Sequence, residues 1–206
     1  MKKNLLLLFA LIIGFASQAQ KPQFGLKAGL NIANAALSGD GSPDGKSLAG
    51  FHVGLFTDFK LSSKFSFQPE LLYSAQGTQF DYVVNYEGVN YDTSSKLKLN
   101  YITIPLMMKY YADPKFYLEF GPQIGFLTLA DLEVTVLGTT STQDFKDSMK
   151  STDFGLNFGL GYDVSKKVVL SARYNQGLSN GFDTESGDNS KLKNNVISFS
   201  LGYKFQ

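Results

Sequence analysis

The sequence predicts an all-β protein, an eight-stranded antiparallel up-and-down transmembrane β-barrel. Three observations carry this prediction: apolar residues alternate with small polar ones, connections alternate between short and long, and the two strand faces differ in side-chain size. The segment from Asp153 to Val164, "DFGLNFGLGYDV", shows the alternation most clearly. Because successive side chains of a strand point to opposite faces, this two-residue period indicates a strand with one apolar and one polar face.

The first 20 residues differ from the rest in composition. Two lysines precede an apolar run from Leu5 to Phe15 and a small-residue site that ends at Ala19. This order is typical of a secretory signal peptide, so we expect residues 1–19 to be removed and residues 20–206 to form the barrel domain. A membrane-anchor helix is the alternative, but the run is shorter than the roughly 20 residues that cross a bilayer. The chain has no cysteine, which excludes disulfides and lipid attachment at a cysteine.

Charge and composition narrow the classes of function. The 19 basic and 18 acidic residues nearly balance, which gives no reason to expect nucleic acid as a partner. Twenty Gly, 18 Phe and 11 Tyr fit a β protein with crowded backbones and many ring side chains. After residue 20, no segment is long and apolar enough to be a spanning helix.

Eight alternating segments follow the leader, each about as long as the 9–11 residues that a tilted strand needs to cross a bilayer, or longer. They run near residues 24–33, 50–60, 65–80, 97–111, 116–129, 152–164, 168–178 and 195–205. Three connections are short, at 61–64, 112–115 and 165–167, and four are long and polar, at 34–49, 81–96, 130–151 and 179–194. Outer-membrane barrels show this asymmetry, with short periplasmic turns and long outer loops. The even strand number places both termini at the short-turn end.

Two of the long loops carry their own structural signals. The second, "DYVVNYEGVNYDTS", predicts a hairpin that continues past the membrane and turns near Glu87 and Gly88. The third contains "STQDFKDSMK", which predicts one or two helical turns capped by Ser141 or Thr142.

The two strand faces differ in a way that assigns them to lipid and lumen. One face is bulky and apolar, with residues such as Phe24, Leu30, Phe51, Phe120 and Phe199, and the other is small and mostly uncharged, with residues such as Gly29, Gly159, Gln68, Asn157 and Ser198. An eight-stranded barrel is only just wide enough inside for side chains, so we assign the small face to the lumen. A soluble lipocalin-like barrel is the alternative, but its outer face would carry many Lys and Glu. Ring residues near both strand ends fit membrane-interface girdles.

Charged residues in the middle of strands fall on the small-residue face. They are Lys27, Glu70, Lys109, Glu119, Arg173 and Lys204. Unpaired charges in a lumen would be costly, so we expect a network of ion pairs and hydrogen bonds that plugs the barrel. Counting residues from the turns places Lys109 opposite Glu119, Glu70 opposite Gly54 and Arg173 opposite Gly159. A polar path for ions is the alternative, and it is disfavoured because eight strands leave little bore.

Five stretches also resemble the repeating signatures of the PorT-like outer-membrane β-barrel family of Gram-negative bacteria. They are "GFHVGLFTDFKLSSKFSFQPELLYSAQG", "LNYITIPLMMKYY", "FGPQIGFL", "STDFGLNFGLGYDV" and "ARYNQGLSN". The resemblance covers essentially the whole mature chain and implies the barrel fold and, as in some relatives, a part in secretion across the outer membrane. It implies no residue that carries chemistry. Such barrels often end on an aromatic residue that the insertion machinery recognises, whereas here Gln206 follows Phe205.

Chemistry and ligand binding have few candidates in this sequence. His52 is the single histidine; its parity places it in the lumen, and Ser47 and the loop acids are its possible partners in a hydrolase or acyltransferase. No nucleophile motif, metal-ligand cluster or phosphate loop is present, so we expect no catalytic residue, metal or cofactor.

The long loops hold 12 acidic residues against six lysines. The acidic surface that we expect in the third and fourth loops consists of Asp131, Glu133, Asp144, Asp147, Asp183, Glu185 and Asp188. Bridging of divalent ions to anionic lipid heads is one interpretation of this surface, and docking of a basic partner is the other.

These observations lead to three hypotheses about function. The first is a non-enzymatic, monomeric outer-membrane barrel with a plugged lumen that acts as an envelope or interaction protein through its long outer loops. The second is an accessory component of a secretion or assembly complex, and the third is a small membrane enzyme that uses His52. Expected partners are the bilayer, outer-leaflet lipids, the outer-membrane insertion machinery and an unidentified protein, but no nucleic acid.

Overall fold

A computed structural model of the chain describes residues 21–38, 45–182 and 191–205. The predicted signal peptide lies outside the described residues. The strands are β1 (Gln23–Ser38), β2 (Lys46–Lys60), β3 (Phe65–Tyr86), β4 (Val89–Tyr111), β5 (Phe116–Val136), β6 (Thr139–Asp144), β7 (Thr152–Asp163), β8 (Val168–Gly177) and β9 (Lys191–Lys204), with one 3₁₀ turn at Lys146–Ser148. Over these described ranges, no helix is long and apolar enough to cross a membrane.

Eight of the strands form a closed ring. Each pairs antiparallel with its neighbours in the order β1, β2, β3, β4, β5, β7, β8, β9, and β9 pairs with β1 to close the barrel. The predicted eight-stranded up-and-down barrel is therefore confirmed. β6 lies outside the ring and pairs with residues 131–136 of β5.

The outward face of the ring is apolar and exposed. Phe24, Phe158 and Phe199 expose 56%, 56% and 53% of their surface, whereas the alternating residues are buried in the lumen. In β1 the exposed apolar positions run from Phe24 to Ile32, and nine residues that rise about 3.3 Å each in a strand tilted by about 40° cover roughly 20 Å along the barrel axis. Such a belt approaches the height of the apolar band of outer-membrane barrels, and the predicted assignment of the faces is confirmed.

Two of the predicted long loops are largely strand. β3 and β4 continue past the belt and meet at Glu87 and Gly88, whose φ angles of 51° and 81° define a tight hairpin turn, as predicted. β5 likewise continues to Val136, turns at Leu137 and Gly138 with φ angles of 50° and 79°, and returns as β6.

One short helical turn lies within the predicted stretch, but the predicted cap at Ser141 or Thr142 is wrong. Both residues lie in β6, where a run of β-branched threonines after a two-residue hairpin turn favours a strand. The only helical segment of this described connection is the 3₁₀ turn Lys146–Ser148, and no side chain caps it.

The strands that continue beyond the belt form a four-stranded antiparallel sheet on one side of the barrel mouth. We call this the projecting sheet, and it consists of residues 79–86 of β3, 89–98 of β4, 131–136 of β5 and 139–144 of β6. The first loop is shorter than predicted, because β1 extends to Ser38 and β2 begins at Lys46.

Candidate functional site

Arg173 lies at the centre of the charged lumen. Its Nη1 and Nη2 donate to the two carboxylate oxygens of Glu70 at 3.1 and 2.9 Å, and its Nε donates to Oε1 of Glu119 at 2.9 Å. Lys27 Nζ lies 2.7 Å from Oε1 of Glu70. All four side chains are buried and come from β8, β3, β5 and β1. Because Arg173 reaches across the lumen to strands that do not neighbour β8, the network ties opposite walls of the barrel together.

Lys109 connects a third carboxylate, that of Asp58, to this centre. Its Nζ lies 3.2 Å from Oδ2 of Asp58 and 4.4 Å from the centroid of the Tyr117 ring, and it donates to Oε1 of Gln68. Gln68 Nε2 in turn donates to Oε1 of Glu70 at 2.6 Å. The lumen network is therefore Lys27, Asp58, Gln68, Glu70, Lys109, Glu119 and Arg173, in which three cations face three carboxylates.

Lys204 belongs to a separate pair at the short-turn end. Its Nζ lies 3.0 Å from Oδ1 of Asp163. Sequence reasoning missed Asp58 and Asp163, although the residue parity that placed His52 and Gly159 in the lumen applies to them as well. Both lie close to strand ends, so they were not counted with the mid-strand charges.

The predicted register is correct at two of three positions. Lys109 lies opposite Glu119, and Arg173 lies opposite Gly159. The position of Glu70 opposite Gly54 is wrong, because the turn pairs Lys60 with Ser66 and thereby places Glu70 opposite Phe56. Register alone also did not give the ion pairs, since Glu119 binds Arg173 and Lys109 binds Asp58.

Two hydrogen bonds hold His52 in the half of the lumen nearer the long-loop end. Its Nδ1 lies 2.8 Å from Oδ1 of Asn31, and its Nε2 lies 2.8 Å from the hydroxyl of Ser200. Because the Asn31 amide nitrogen donates to Ser74, its oxygen accepts from Nδ1, so Nε2 accepts from Ser200. The predicted partner Ser47 is wrong: it lies opposite Thr78 and is exposed.

The His52 cluster borders a small cavity. The cavity has a volume of about 30 Å³, is lined by Asn31, His52 and Ser200 among others, and reaches Arg173 on its other side. A water molecule needs about 10–15 Å³ measured in this way, so the space suits about two waters. The Asn31 amide, the His52 imidazole and the Ser200 hydroxyl form one hydrogen-bonded chain, so His52 can polarise the Ser200 O–H. A cavity of this size has no room for an organic substrate.

A cluster of buried apolar residues lies at the long-loop end of the barrel, beyond this cavity. We call it the mouth cluster; its buried members are Ala35, Leu97, Leu99, Tyr101, Leu127, Ala130, Met149 and Leu192, with Leu132, Phe145 and Phe182 packed against them. Met149 comes from outside the ring and forms a β-bridge with Phe182. Flanking hydrogen bonds hold this segment, from Lys150 N to Gly181 O at 2.8 Å and from Leu127 N to Ser151 O at 2.9 Å. No feature of the loop sequence predicted this insertion.

The predicted acidic surface is only partly described. Asp131 of β5 lies directly opposite Asp144 of β6, Glu133 forms an ion pair of 2.6 Å with Lys98, and Asp147 belongs to the 3₁₀ turn. Asp183, Glu185 and Asp188 lie outside the described residues. In the described part of the chain, no group of three or more His, Cys, Asp or Glu is placed to hold a metal ion.

An exposed ion pair marks the edge of the projecting sheet. Lys46 Nζ lies 2.8 Å from Oδ2 of Asp81, and Gln79 donates to the other carboxylate oxygen at 2.9 Å. The hydrogen bond from Lys46, followed by that from Gln79, lowers the pKa of Asp81 to about 2.

A closed antiparallel ring with an apolar outer belt and a polar lumen defines an integral outer-membrane β-barrel protein. The chain belongs to the outer membrane protein β-barrel domain family, whose model matches residues 17–183. Its location is therefore the outer membrane.

Several solved outer-membrane proteins are similar to this chain. Neisserial surface protein A is 15% identical over 90% of this chain and 100% of its own, with a TM-score of 0.53. Ail, the attachment invasion locus protein of Yersinia pestis, is 13% identical over 90% of this chain and 100% of its own, with a TM-score of 0.49. OprG of Pseudomonas aeruginosa is 14% identical over 91% and 98%, with a TM-score of 0.41. No curated protein sequence matches the chain.

Proposed function

We propose that the protein is a non-enzymatic, monomeric outer-membrane barrel with a plugged lumen that acts as an envelope or interaction protein through the projecting sheet. One observation carries this proposal: the lumen holds a buried ion-pair network and, toward the long-loop end, a buried apolar cluster, whereas four strands continue beyond the membrane belt. We further propose that residues 1–19 are removed on export and that the outer-membrane insertion machinery assembles residues 20–206 in the bilayer.

The chemistry of the lumen supports a barrel that does not conduct. Each charge of the lumen network has an opposite charge within 3.2 Å. Moving Lys109 or Arg173 aside would leave Asp58 or Glu119 buried without its cation, at a cost of several kcal/mol. The mouth cluster adds an apolar barrier above it. An ion would have to displace both.

Conductance measurements test the plug. The mature protein, reconstituted in planar bilayers, is expected to show no discrete conductance steps, and so is Lys204→Ala, which lies outside the lumen network. Steady, ion-selective openings of the wild-type protein would contradict the proposal.

A shortened hairpin tests the role of the projecting sheet. Val83 lies opposite Asp92, so replacing residues 84–91 by Asn-Gly closes the hairpin with a two-residue turn and leaves the barrel intact. A photo-crosslinker at Val136 is expected to give protein adducts on intact cells, and the shortened hairpin to reduce them. Equal adduct yields from both proteins, or none from either, would contradict an interaction role of this sheet.

A second candidate is an accessory component of a secretion or assembly complex. The resemblance to the PorT-like family supports it, and so does the exposed strand β6 at the edge of the projecting sheet. Mild detergent extraction should then recover stoichiometric partners, and their consistent absence would rule this candidate out.

A His52-based enzyme is disfavoured, because Ser200 faces a cavity of about 30 Å³ between the lumen network and the mouth cluster. We expect a fluorophosphonate probe to leave Ser200 unlabelled in the folded protein. Stoichiometric labelling that His52→Ala abolishes would revive the enzyme hypothesis.

A further inference from the structure

We infer that the outer edge of β6 docks an extended segment of a partner protein in which apolar and basic residues alternate, and that this segment joins the projecting sheet as a further strand. The inference rests on the proposed function, since it names the chemistry of the partner that the projecting sheet would bind. Four features of the described residues carry it: an open edge, the direction of its backbone groups, two valines on the inner face and two opposed aspartates on the outer face.

The outer edge of β6 is open. β6 pairs with β5 on one side, and no other described strand pairs with it. All six of its residues are exposed, and their pairing with β5 runs without a bulge. Edge strands are commonly protected by proline, lysine or a bulge, and the stretch "TTSTQD" has none of them.

The free backbone groups of this edge can be assigned to particular residues. Phe145 N donates to Ala130 O at 2.8 Å, so this opposed pair is a hydrogen-bonded one. Directly opposed residues of an antiparallel ladder alternate between hydrogen-bonded and non-hydrogen-bonded pairs. The N–H and C=O groups of Thr140, Thr142 and Asp144 therefore point away from β5, toward the open edge.

Two valines lie on the inner face of the sheet beside this edge. Val134 lies opposite Ser95, whose side chain is buried, and Val136 lies opposite Thr93, which is also buried. Ser141 lies opposite Val134 on the β6 side. Because serine is small, a bulky apolar residue on an added strand can pass over Ser141 and contact Val134.

Two opposed aspartates lie on the outer face beside the same edge, next to Lys96 and Lys98 on β4. Asp144, which is exposed, and Asp131, which is half-buried, lie directly opposite each other, where like charges repel. Lys98, which lies opposite Asp131, forms its ion pair with Glu133 instead. A lysine or arginine on the outer face of an added strand would relieve this repulsion, so the favoured segment alternates apolar residues with basic ones.

Peptide binding tests the inference directly. The mature protein is placed in nanodiscs of zwitterionic lipid, which avoids adsorption of cationic peptide to anionic lipid. The probe is a blocked, fluorescently labelled nine-residue peptide of alternating valine and lysine. One control peptide has the same composition in two blocks, and another carries N-methyl groups on the backbone atoms that would bond to β6. We expect the alternating peptide to bind and to slow amide hydrogen exchange at Thr140 and Thr142.

Matched variants separate strand addition from charge attraction. Thr142→Pro removes one free N–H without breaking a bond to β5, and should weaken binding about tenfold, whereas Thr142→Ala should stay within about twofold of wild type. Asp144→Asn should weaken binding about fivefold. Asp147→Asn changes net charge equally but lies outside the strand, and should have little effect.

Three results would overturn the inference: equal binding of the block or N-methylated peptide, unchanged affinity in Thr142→Pro, or no binding of the alternating peptide at about 1 mM. The peptide controls need no folded variant, and heat-modifiable gel migration checks that Thr142→Pro has folded. A conducting wild-type protein would contradict the proposed plug but would not affect the peptide-binding result. A non-conducting protein that fails the peptide tests would leave the proposed plug standing and remove the docking edge.

Discussion

The lumen network and the mouth cluster lie in the same barrel and have opposite chemistry. The lumen network uses charged and amide side chains that the ring strands themselves carry. The mouth cluster uses apolar side chains, and one of them, Met149, comes from a connection outside the ring.

This difference predicts how the stability of each region should respond when one of its side chains is replaced. A buried charge that loses its partner keeps its desolvation cost, so the lumen network should fail as a unit. An apolar cluster loses only the area and contacts of the side chain that is removed, so the mouth should loosen locally.

The largest effect is expected from Arg173→Met. The change leaves Glu119 buried with no cation bonded to it, and should lower the free energy of unfolding by about 3–5 kcal/mol. Urea unfolding in micelles, followed by circular dichroism, measures the loss. Arg173→Met combined with Glu119→Gln should recover part of it, because the orphaned charge is removed. A loss below about 1 kcal/mol would show that the network does not act as a unit.

Met149→Ala should produce a smaller, local effect. Removing this buried side chain should lower the free energy of local opening of the mouth cluster by about 2–3 kcal/mol. The readout is amide exchange at Leu127, which donates to Ser151 beside the cluster, with the amide of Asn157 as a reference inside the barrel. Met108→Ala, on the outward face, is the matched control and should leave Leu127 unchanged. If Met149→Ala speeds amide exchange equally at Leu127 and Asn157, the mouth cluster does not open independently of the rest of the barrel.

Two glycines sharpen the view of how tightly the lower lumen is packed. A β-carbon at Gly161 would overlap the buried ring of Tyr117, whereas one at Gly202 would meet its nearest atoms at 3.5 Å. Gly161→Ala should therefore destabilise the barrel by about 1–2 kcal/mol in the same urea assay. Gly202→Ala should be neutral or slightly stabilising. Equal stabilities of the two variants would show that the Tyr117 ring moves freely.

The smallest effect concerns the exposed pair of Lys46 and Asp81, which contrasts with the buried pairs. Its contribution to stability is present above the ordinary carboxyl pKa and is lost as the pH falls toward 2, because folding lowers the pKa of Asp81 to about 2. Lys46→Met should raise this pKa toward 4, as measured by carbon NMR of the carboxylate. Lys98→Met should leave it unchanged. An unaltered pKa in Lys46→Met would assign the shift to another neighbour.

Local patterns predicted much of the fold. Alternation such as that from Phe154 to Val164 predicted the strands, and the number of such segments predicted the ring size. The small residues between the apolar ones predicted the lumen face. Both a two-residue period and side-chain volume are properties of neighbouring residues. The turn at Glu87 and Gly88 was equally local.

The candidate site was less predictable. That Arg173 bonds Glu70 and Glu119 rather than a neighbour in its own ladder depends on which strands face each other across the lumen. The partners of His52, at Asn31 and Ser200, lie 21 and 148 residues away in the chain. Ser141 and Thr142 showed the reverse error, since a plausible helix cap gave way to a hairpin set by Leu137 and Gly138.

By itself, therefore, the sequence determined a barrel of eight strands, its lipid-facing and lumen-facing sides, and the charges that would need partners. Only the tertiary structure decided who those partners are, that Met149 enters the barrel mouth, and that β6 leaves an open edge. The physical reason is distance along the chain. Side-chain alternation is fixed residue by residue, whereas contacts across a lumen exist only after the ring has closed.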